Sequence, residues 1–457
     1  MGEPIAAPRG TADIGPPDGA VWHLVEDVAR RNCSRHGFAE IRTPLFEATE
    51  LFARGIGADT DIVGKEMYTF RDRSDRSLTL RPEGTAGVVR AFLEHKLYAT
   101  APSPLKLWYQ GPMFRYERPQ KGRQRQFYQI GVEVFGSAEP AADAEVVALA
   151  YQCYQDMAAD LACRVADRLG AERAAGLHVP PDLRVELNSL GDQACRPRYR
   201  EALQAYFRDR AAAYCADCAR RMETNPLRVL DCKVPPCVAL NAQAPALELC
   251  ADCSAHFAAV KDLLAGAGVP FSVNPRIVRG LDYYTRTVFE LVPADAPAAG
   301  QTTLCAGGRY DGLVAELGGP PTPAVGWALG EERAVQWLLD RAELSAAELA
   351  RVGAPATDVF VAPLASEAVA AAFRLVQHLR RAGLAADMAF KAAKPDKHFK
   401  QAERAGARFI ALLGPDELAR QEIAVKDLAT RTQINLPLDA EIIAAHARAP
   451  ARAAQLT

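Results

Sequence analysis

The sequence lacks the features that would place the chain in a membrane or in the secretory pathway. None of its apolar runs approaches the roughly 20 residues that a helix needs to span a bilayer. Residues 1–20 contain neither the basic segment nor the apolar stretch of a signal peptide. A myristoylation signal needs serine or threonine where this chain has Ala6. We therefore expect a cytoplasmic protein with no membrane partner.

An excess of charge of one sign is also missing. Lysine and arginine total 54 against 56 aspartates and glutamates, which leaves a formal net charge of −2. This balance does not indicate a nucleic-acid-binding protein, so any contact with RNA must depend on local basic patches. The 457 residues contain no internal repeat. That length suits two or three domains of about 150 residues each.

Alternating side chains over residues 105–136 predict an antiparallel hairpin with a long basic loop. Since neighbouring side chains on a strand point to opposite faces, Phe127, Gln129 and Glu133 share one face of the second strand. Arg115 and Glu117 share a face of the partner strand. A hairpin face of this kind is ordinarily solvated. An arginine that grips phosphate beside a ring that stacks on a base would instead form a nucleotide platform.

Three stretches in the expected order resemble the signature motifs of class II aminoacyl-tRNA synthetases, with motif 2 in the form of the histidyl-tRNA synthetase family. They are residues 37–44 for motif 1, 114–127 for motif 2 and 328–333 for motif 3. The resemblance implies an enzyme that uses ATP, with Mg²⁺, to ligate L-histidine to its tRNA through a histidyl-adenylate. Motif 1 further implies a homodimer.

The resemblance assigns ATP contacts to the hairpin. Arg115 holds the α-phosphate and acts in catalysis, Glu117 meets the adenine amino group, and Phe127 stacks on adenine. In the loop, the resemblance places Arg118, Lys121 and Arg123 near the triphosphate or the acceptor end of the tRNA.

Motif 3 adds a second arginine to the ATP site. Arg333 is an ATP-binding and catalytic residue by resemblance, and we predict that it lies in the first turn of a helix, where the N-terminus favours anions. The family usually has leucine where this chain has Glu331. We expect that departure to add a negative charge near the phosphates.

Residues 79–85, 278–284 and 306–312 resemble histidyl enzymes in particular. Glu83 and Thr85 suit the substrate ammonium group, with Gln129 as a further acceptor, while Glu133 and Tyr284 suit opposite sides of the imidazole. Adjacent tyrosines are more often packing residues than pocket residues, but their place after Arg279 and Gly280 favours the pocket. The histidine-binding residues predicted in this way are Glu83, Gly84, Thr85, Gln129, Glu133, Tyr283 and Tyr284.

Arg279 is the third catalytic residue that the resemblance implies. It would act on the α-phosphate, where charge builds up as the histidine carboxylate attacks. The alternative interpretation is a structural surface arginine.

The domain organisation follows from the strand and helix patterns together with the resemblance. Residues 1–192 and 259–340 are predicted to form an α+β catalytic domain with an antiparallel sheet. A mostly helical insertion spans 193–258, and 341–356 reads as a linker. Strands alternate with helices in 357–457, which predicts an α/β domain with a mostly parallel sheet. The resemblance makes it the anticodon-binding domain.

The insertion contains two CxxC pairs, Cys215 with Cys218 and Cys250 with Cys253, about 31 residues apart. Such pairs suit one tetrahedral zinc ion with a structural role. Reduced thiols packed in the insertion are the alternative.

The alternative hypothesis, from a different class of function, is that the chain is a catalytically silent synthetase paralogue. Such a paralogue would act as a regulatory subunit of ATP phosphoribosyltransferase. Such subunits typically lack the anticodon domain and parts of the run over residues 279–284. This chain contains both.

Overall fold

The computed structural model describes residues 5–57, 60–120, 122–177, 183–278, 281, 283–295, 303–354 and 357–448. These residues divide into two compact units. The first consists of Val21–Leu344 and the segment that ends at Gly15, and the second of Pro16–Ala20 and the chain from Ser345. Among the described residues, no helix has both the length and the apolar character to cross a membrane.

The strands of the first unit are β1 (Ala39–Glu40), β2 (Phe46–Ala48), β3 (Thr69–Arg71), β4 (Ser77–Leu80), β5 (Leu105–Phe114), β6 (Gln126–Phe135), β7 (Leu183–Ser189), β8 (Phe271–Val273), β9 (Thr285–Pro293), β10 (Cys305–Arg309) and β11 (Ala324–Gly330).

The helices up to residue 342 are α1 (Gly19–Arg35), α2 (Thr49–Ile56), α3 (Thr85–Glu94), α4 (Leu97–Thr100), α5 (Pro140–Leu169), α6 (Ala171–Ala175), α7 (Arg196–Arg208), α8 (Ala216–Thr224), α9 (Pro226–Leu230), α10 (Pro235–Asn241), α11 (Ala251–Gly266), α12 (Leu313–Glu316) and α13 (Glu331–Ala342). Short helical turns also occur at Ile62–Glu66 and Ala211–Ala213.

The main sheet of this unit has the strand order β1-β5-β6-β11-β10-β9-β7-β8, and β2-β4-β3 form a second sheet. All pairings in the main sheet are antiparallel except the outermost two, β1 with β5 and β7 with β8. The predicted hairpin is confirmed: β5 pairs with β6 from Leu105 opposite Phe135 to Phe114 opposite Gln126. The α+β prediction with an antiparallel sheet is confirmed as well.

A buried ion-pair network attaches α5 to the sheet. Arg309, fully buried on β10, donates from Nε to Asp143 of α5 at 3.0 Å and from Nη1 to Asp311 at 3.0 Å. The ring of His256 contacts the same Asp143 at 2.7 Å. A buried guanidinium needs such partners, because an unpaired buried charge is strongly destabilising. The network therefore fixes the helix that crosses β7, β9, β10 and β11.

The predicted insertion lies between β7 and β8 and is helical, from α7 to α11. Its own core contains the fully buried side chains of Leu203, Phe207, Cys218, Val229 and Cys237. Helix α11 continues past residue 258 to Gly266 and packs against α5.

The second unit contains β12 (Thr357–Pro363), β13 (Ala386–Met388), β14 (Ala407–Leu413), β15 (Glu422–Asp427) and β16 (Gln433–Pro437), with α14 (Ala346–Val352), α15 (Ala368–Arg381), α16 (Pro395–Arg404), α17 (Pro415–Arg420) and α18 (Ala440–Arg448).

The sheet of this unit has the order β13-β12-β14-β15-β16. The pairings of β12 with β13 and β14 are parallel, and the other two are antiparallel. The expectation of a mostly parallel sheet is therefore only half right, because β14, β15 and β16 follow one another as an antiparallel meander. The segment predicted as a linker contains α14, whose first turn is closed by a capping box between Ser345 and Glu348.

Candidate active site

A cavity of about 370 Å³ lies at the polar face of the β5–β6 hairpin. The structure brings most of the predicted site residues together in its wall. Those that line it are Glu83, Thr85, Arg115, Glu117, Arg123, Phe127, Gln129, Glu133, Tyr283, Tyr284 and Arg333.

The centre of one end is Glu133, a buried carboxyl on β6. Its Oε1 accepts a hydrogen bond from the Thr85 hydroxyl at 2.8 Å, and its Oε2 accepts one from the Tyr310 hydroxyl. Burial raises the pKa of Glu133 to about 8. The neighbouring strand makes room for this carboxyl at Gly326, where a Cβ would lie 2.0 Å from Oε2. Both oxygens are therefore held in fixed directions.

Glu83 positions Thr85, the residue whose hydroxyl donates to Glu133. Its two oxygens accept the backbone N–H groups of Thr85 and Ala86, each at 2.8 Å, at the start of α3. Burial raises the pKa of Glu83. The carboxyl thus caps the helix that presents the Thr85 hydroxyl to Glu133. Sequence reasoning assigned Glu83 to the substrate and did not detect this second role.

Gly84, predicted to bind histidine, is not part of the cavity wall. A Cβ at Gly84 would lie 2.2 Å from the ring of Tyr109, and one at Gly131 would lie 2.3 Å from the same ring. The two glycines therefore make space for Tyr109, which lines the cavity between them. The signal available in the sequence was the hairpin register, because Tyr109 pairs directly with Gly131.

Gln129 and the two adjacent tyrosines complete this end. Among the described residues, the buried Oε1 of Gln129 has no hydrogen-bond partner, which suits an acceptor for a ligand N–H group. The rings of Tyr283 and Tyr284 have centroids 4.8 Å apart, and that of Tyr283 lies 5.5 Å from Tyr310. These tyrosines both pack in the core and line the cavity, so the two interpretations of the pair are compatible.

Arginines gather at the other end. Arg115 donates from Nε to the carbonyl of Pro82 at 2.8 Å, and its guanidinium lies 5.1 Å from the centroid of the Phe127 ring. Arg123 forms an ion pair with Glu117 at 2.8 Å. The basic loop therefore folds back on the residue that the resemblance assigned to adenine.

Arg333 lies in the first turn of α13, as predicted, and donates from Nη1 to the carbonyl of Thr303 at 2.7 Å. Burial and the nearby Arg123 lower its pKa. Guanidinium groups that repel one another in this way favour an anion between them. Arg115, Arg123 and Arg333 thus make this end suited to phosphate.

The expectation that Glu331 adds a negative charge near the phosphates is wrong. Its side chain is fully buried and is absent from the cavity wall, so it does not face the phosphate end. Burial raises its pKa well above the ordinary value. Glu332 lines the cavity instead. It accepts the N–H of Tyr128 at 2.9 Å, and burial raises its pKa to about 7.

Sequence reasoning missed several residues of the cavity wall, among them Asp231, Lys233 and Tyr310. Tyr310 falls within residues 306–312, which were singled out as a histidyl-type stretch without a role for the tyrosine. Asp231 and Lys233 belong to the insertion, and no local pattern brings them to the site.

Arg279, Gly280 and Lys121 lie outside the described residues. The described neighbours of the first two, Val278 and Leu281, line the cavity.

The cysteines predicted to form one metal site lie in two groups. Cys215, Cys218, Cys232 and Cys237 form the first group, and Cys250 and Cys253 join Asp192 and Cys195 in the second. The prediction of a single site from the two CxxC pairs is therefore wrong, because each pair finds its partners elsewhere in the fold. None of the eleven cysteines, all of which the structure describes, forms a disulfide.

The antiparallel sheet, with one arginine following a hairpin strand and another in the first turn of the helix after β11, defines the catalytic fold of a class II aminoacyl-tRNA synthetase. Comparison with known proteins identifies the family within this class. The sequence model of the family described as histidyl-tRNA synthetase matches residues 10–166 and 184–333, and that of an anticodon binding domain matches 358–444. The chain therefore belongs to the histidyl-tRNA synthetase family.

Individual relatives agree with this assignment. The histidine–tRNA ligase of Geobacillus kaustophilus is 48% identical over 433 residues, which cover 94% of this chain and 95% of that protein. The apo histidyl-tRNA synthetase of S. aureus has a TM-score of 0.75 at 37% identity, covering 96% of this chain and 99% of that one. A Bacillus halodurans protein named as an ATP phosphoribosyltransferase regulatory subunit/histidyl-tRNA synthetase shares the fold, with a TM-score of 0.60 at 20% identity and coverage of 91% and 100%.

Proposed function

We propose that this chain ligates L-histidine to histidine tRNA in two steps. In the first, a carboxylate oxygen of histidine attacks the α-phosphorus of ATP, and the bond to pyrophosphate breaks to give histidyl-adenylate. In the second, a terminal ribose hydroxyl of the tRNA attacks the histidyl carbonyl, and AMP leaves. One observation carries the proposal. A single cavity joins the buried network of Thr85, Glu133 and Tyr310 to a group of arginines.

The network supports recognition of the histidine side chain. An imidazole has two ring nitrogens, and we assign Glu133 and Tyr284, both in the cavity wall, to them. The buried acceptor of Gln129 suits the ammonium group. A side chain without those nitrogens would leave these buried groups unpaired. Sites of this kind discriminate by about 10⁴-fold or more.

The arginines support adenylate formation. No general base is required, because the attacking carboxylate is already ionised, so positioning and charge stabilisation supply the catalysis. We assign these tasks to Arg115, Arg333 and Arg279. For Arg279, the support is the resemblance together with the cavity positions of Val278 and Leu281.

The cavity also suits the Mg²⁺ that accompanies ATP. Carboxylate oxygens are preferred ligands of this ion, and Glu290 and Glu332 line the cavity beside Arg333. Glu290 accepts the hydroxyl of Thr303, whose carbonyl binds Arg333, so the carboxylate belongs to the phosphate end. Bound to the phosphates, the ion neutralises part of their charge.

The remaining partners rest on the family and on surface features. The second unit, matched by an anticodon binding domain, would contact the tRNA, with Lys394, Lys397 and Lys400 as basic candidates. A homodimer is proposed from motif 1 and is supported by the exposed aromatic pair Phe46 and Phe70. The proposed location is the cytoplasm, and any zinc ion in the insertion has a structural role.

The regulatory-subunit alternative has weaker support. The Bacillus halodurans relative at 20% identity shows the fold alone. The cavity here retains Arg115, Arg333 and the buried network, and the chain has a match to the anticodon binding domain.

A truncation separates the two steps of the proposed reaction. Ending the chain after Ala354 should abolish most tRNA charging and spare pyrophosphate exchange, because the described cavity residues all precede this point. Charging is measured with labelled histidine, and folding by thermal denaturation. A folded truncated protein that charges tRNA at the full-length rate would contradict the role given to the second unit.

A further inference from the structure

We propose that the chain binds two structural zinc ions at separate sites, with different effects on the cavity. The four-thiol cluster consists of Cys215, Cys218, Cys232 and Cys237. The Asp192 cluster consists of Asp192, Cys195, Cys250 and Cys253. In each group, all four ligand atoms lie within 4.8 Å of one another. This inference concerns metal content, so it stands or falls independently of the proposed activity.

The geometry of the four-thiol cluster suits a tetrahedral ion. With zinc–sulphur bonds of about 2.3 Å, tetrahedral geometry separates the sulphurs by about 3.8 Å. The sulphurs of Cys215 and Cys232 are 3.9 Å apart. The backbone N–H of Cys215 donates to the sulphur of Cys237 at 3.3 Å, which suits a thiolate acceptor. Four thiols that meet at one point exceed what one disulfide or ordinary packing requires.

The Asp192 cluster repeats this pattern with one oxygen ligand. Cys250 stands immediately before α11 as Cys215 stands immediately before α8. The sulphur of Cys250 also accepts the N–H of Cys253 at 3.5 Å. The N–H of Cys250 donates to the sulphur of Cys195 at 3.2 Å. Zinc accepts aspartate oxygen together with thiolates.

The charges around the Asp192 cluster are also consistent with a bound cation. Three thiolates and a carboxylate around a divalent ion would leave the site with a net negative charge. The guanidinium of Arg286, which lies 3.5 Å from Asp192, offsets part of that charge. Soft thiolate ligands favour zinc over magnesium or calcium.

The position of the four-thiol cluster links it to the cavity wall. Cys232 lies between Asp231 and Lys233, both of which line the cavity. An ion at this cluster therefore fixes the only segment of the insertion, among the described residues, that lines the cavity.

The Asp192 cluster holds the base of the insertion. Asp192 and Cys195 precede α7, where the chain leaves the sheet, and Cys250 and Cys253 begin α11, where it returns. Arg196, which follows Cys195, donates from its guanidinium to the carbonyl of Tyr284, the residue before β9. An ion here closes a loop of roughly 60 residues, and its binding free energy becomes folding free energy.

Metal analysis of the full-length protein, purified without chelator, tests the proposal. We expect about two zinc ions per chain. The variants Cys218→Ser and Cys253→Ser should each retain about one, and the double variant close to none. Cys163→Ser, which changes an exposed cysteine outside both clusters, is the matched control and should retain two.

Three results would overturn the proposal. They are less than about 0.1 metal ion per chain in the wild-type protein, a single ion that both single variants lose, and an intact mass that shows disulfides within a cluster. If the variants fail to fold, cobalt reconstitution of the wild-type protein decides instead. Binding in two steps, with a stronger thiolate-to-cobalt band for the four-thiol site, supports two sites, whereas one step contradicts them.

Discussion

The two ends of the cavity differ in how far their polar side chains are buried and in how those side chains are paired. At the Glu133 end the polar groups are buried, and Thr85 and Tyr310 hold the carboxyl in place. At the arginine end the side chains are partly exposed, and Arg123 pairs with Glu117. At the first end the carboxyl of Glu133 is held in a fixed direction before any ligand arrives, and the Oε1 of Gln129 is left for the ligand. The second satisfies its charges with contacts that a phosphate group can replace.

This difference follows from what each end must bind. Selecting one amino acid requires buried groups in fixed directions, because the discrimination comes from leaving them unpaired when the wrong ligand binds. Binding a triphosphate requires charge, and arginines supply it through long side chains that reorient at low cost. Changes at the first end should therefore alter which amino acid is activated, and changes at the second should alter how fast.

The largest effect is expected at Glu133. Glu133→Ala removes the partner of both Thr85 and Tyr310 and should reduce kcat/KM for histidine by about 10³-fold or more in pyrophosphate exchange. Discrimination against other amino acids should fall with it. Glu133→Gln preserves the shape and should lose less. A folded Glu133→Ala protein with unchanged histidine selectivity would break the comparison.

Arg115→Ala should act on rate alone. Loss of a cation at the phosphate end should reduce kcat for exchange by about 10²-fold, with the preference for histidine intact. Arg30→Ala on α1, where the arginine pairs with Asp27 at the surface, is the control and should be active. Relaxed amino-acid selectivity in Arg115→Ala would show that the two ends do not have separate tasks.

The pKa of Glu133 makes the stability of the ligand-free protein depend on pH. Burial raises this pKa to about 8, so the folded state holds a proton that the unfolded state releases above about pH 4.5. The stabilisation is complete below that pH and is lost as the pH rises to about 8. Glu83, Glu331 and Glu332 shift in the same direction. The Tm of the wild type should therefore fall more between pH 5 and 8 than that of Glu133→Gln, and parallel profiles would contradict the assignment.

The smallest effect is expected from Gly84→Ala. The added methyl group would press on the Tyr109 ring, which Gly131 confines on its other side, and should cost about 1–3 kcal/mol of stability. Gly266→Ala, at the end of α11 with open space around it, is the control and should be nearly neutral. Both are measured by denaturant unfolding. Equal stability of the two variants would show that the ring of Tyr109 is less tightly packed than the structure indicates.

The sequence predicted what depends on local pattern. Strand alternation located the hairpin, and most of the described site residues that the motif resemblance predicted lie in the cavity wall. It misjudged Glu331, because the period of a helix does not by itself show which of two adjacent glutamates faces the core.

Tertiary contacts between distant segments account for the remaining errors. Pairing the two CxxC units was reasonable by spacing, but the fold gives Cys215 the partners Cys232 and Cys237, and gives Cys250 a partner at Cys195. The arrival of Lys233 in the cavity likewise depends on the packing of the insertion, which no window of sequence contains.

ATP–pyrophosphate exchange, run on the full chain with each of the twenty amino acids in turn, tests the central claim most directly. The account predicts that histidine supports exchange and that every other amino acid supports at least about 10³-fold less, because only an imidazole satisfies the buried groups around Glu133. Equal exchange with another amino acid, or no exchange with any of them in a folded protein, would contradict it.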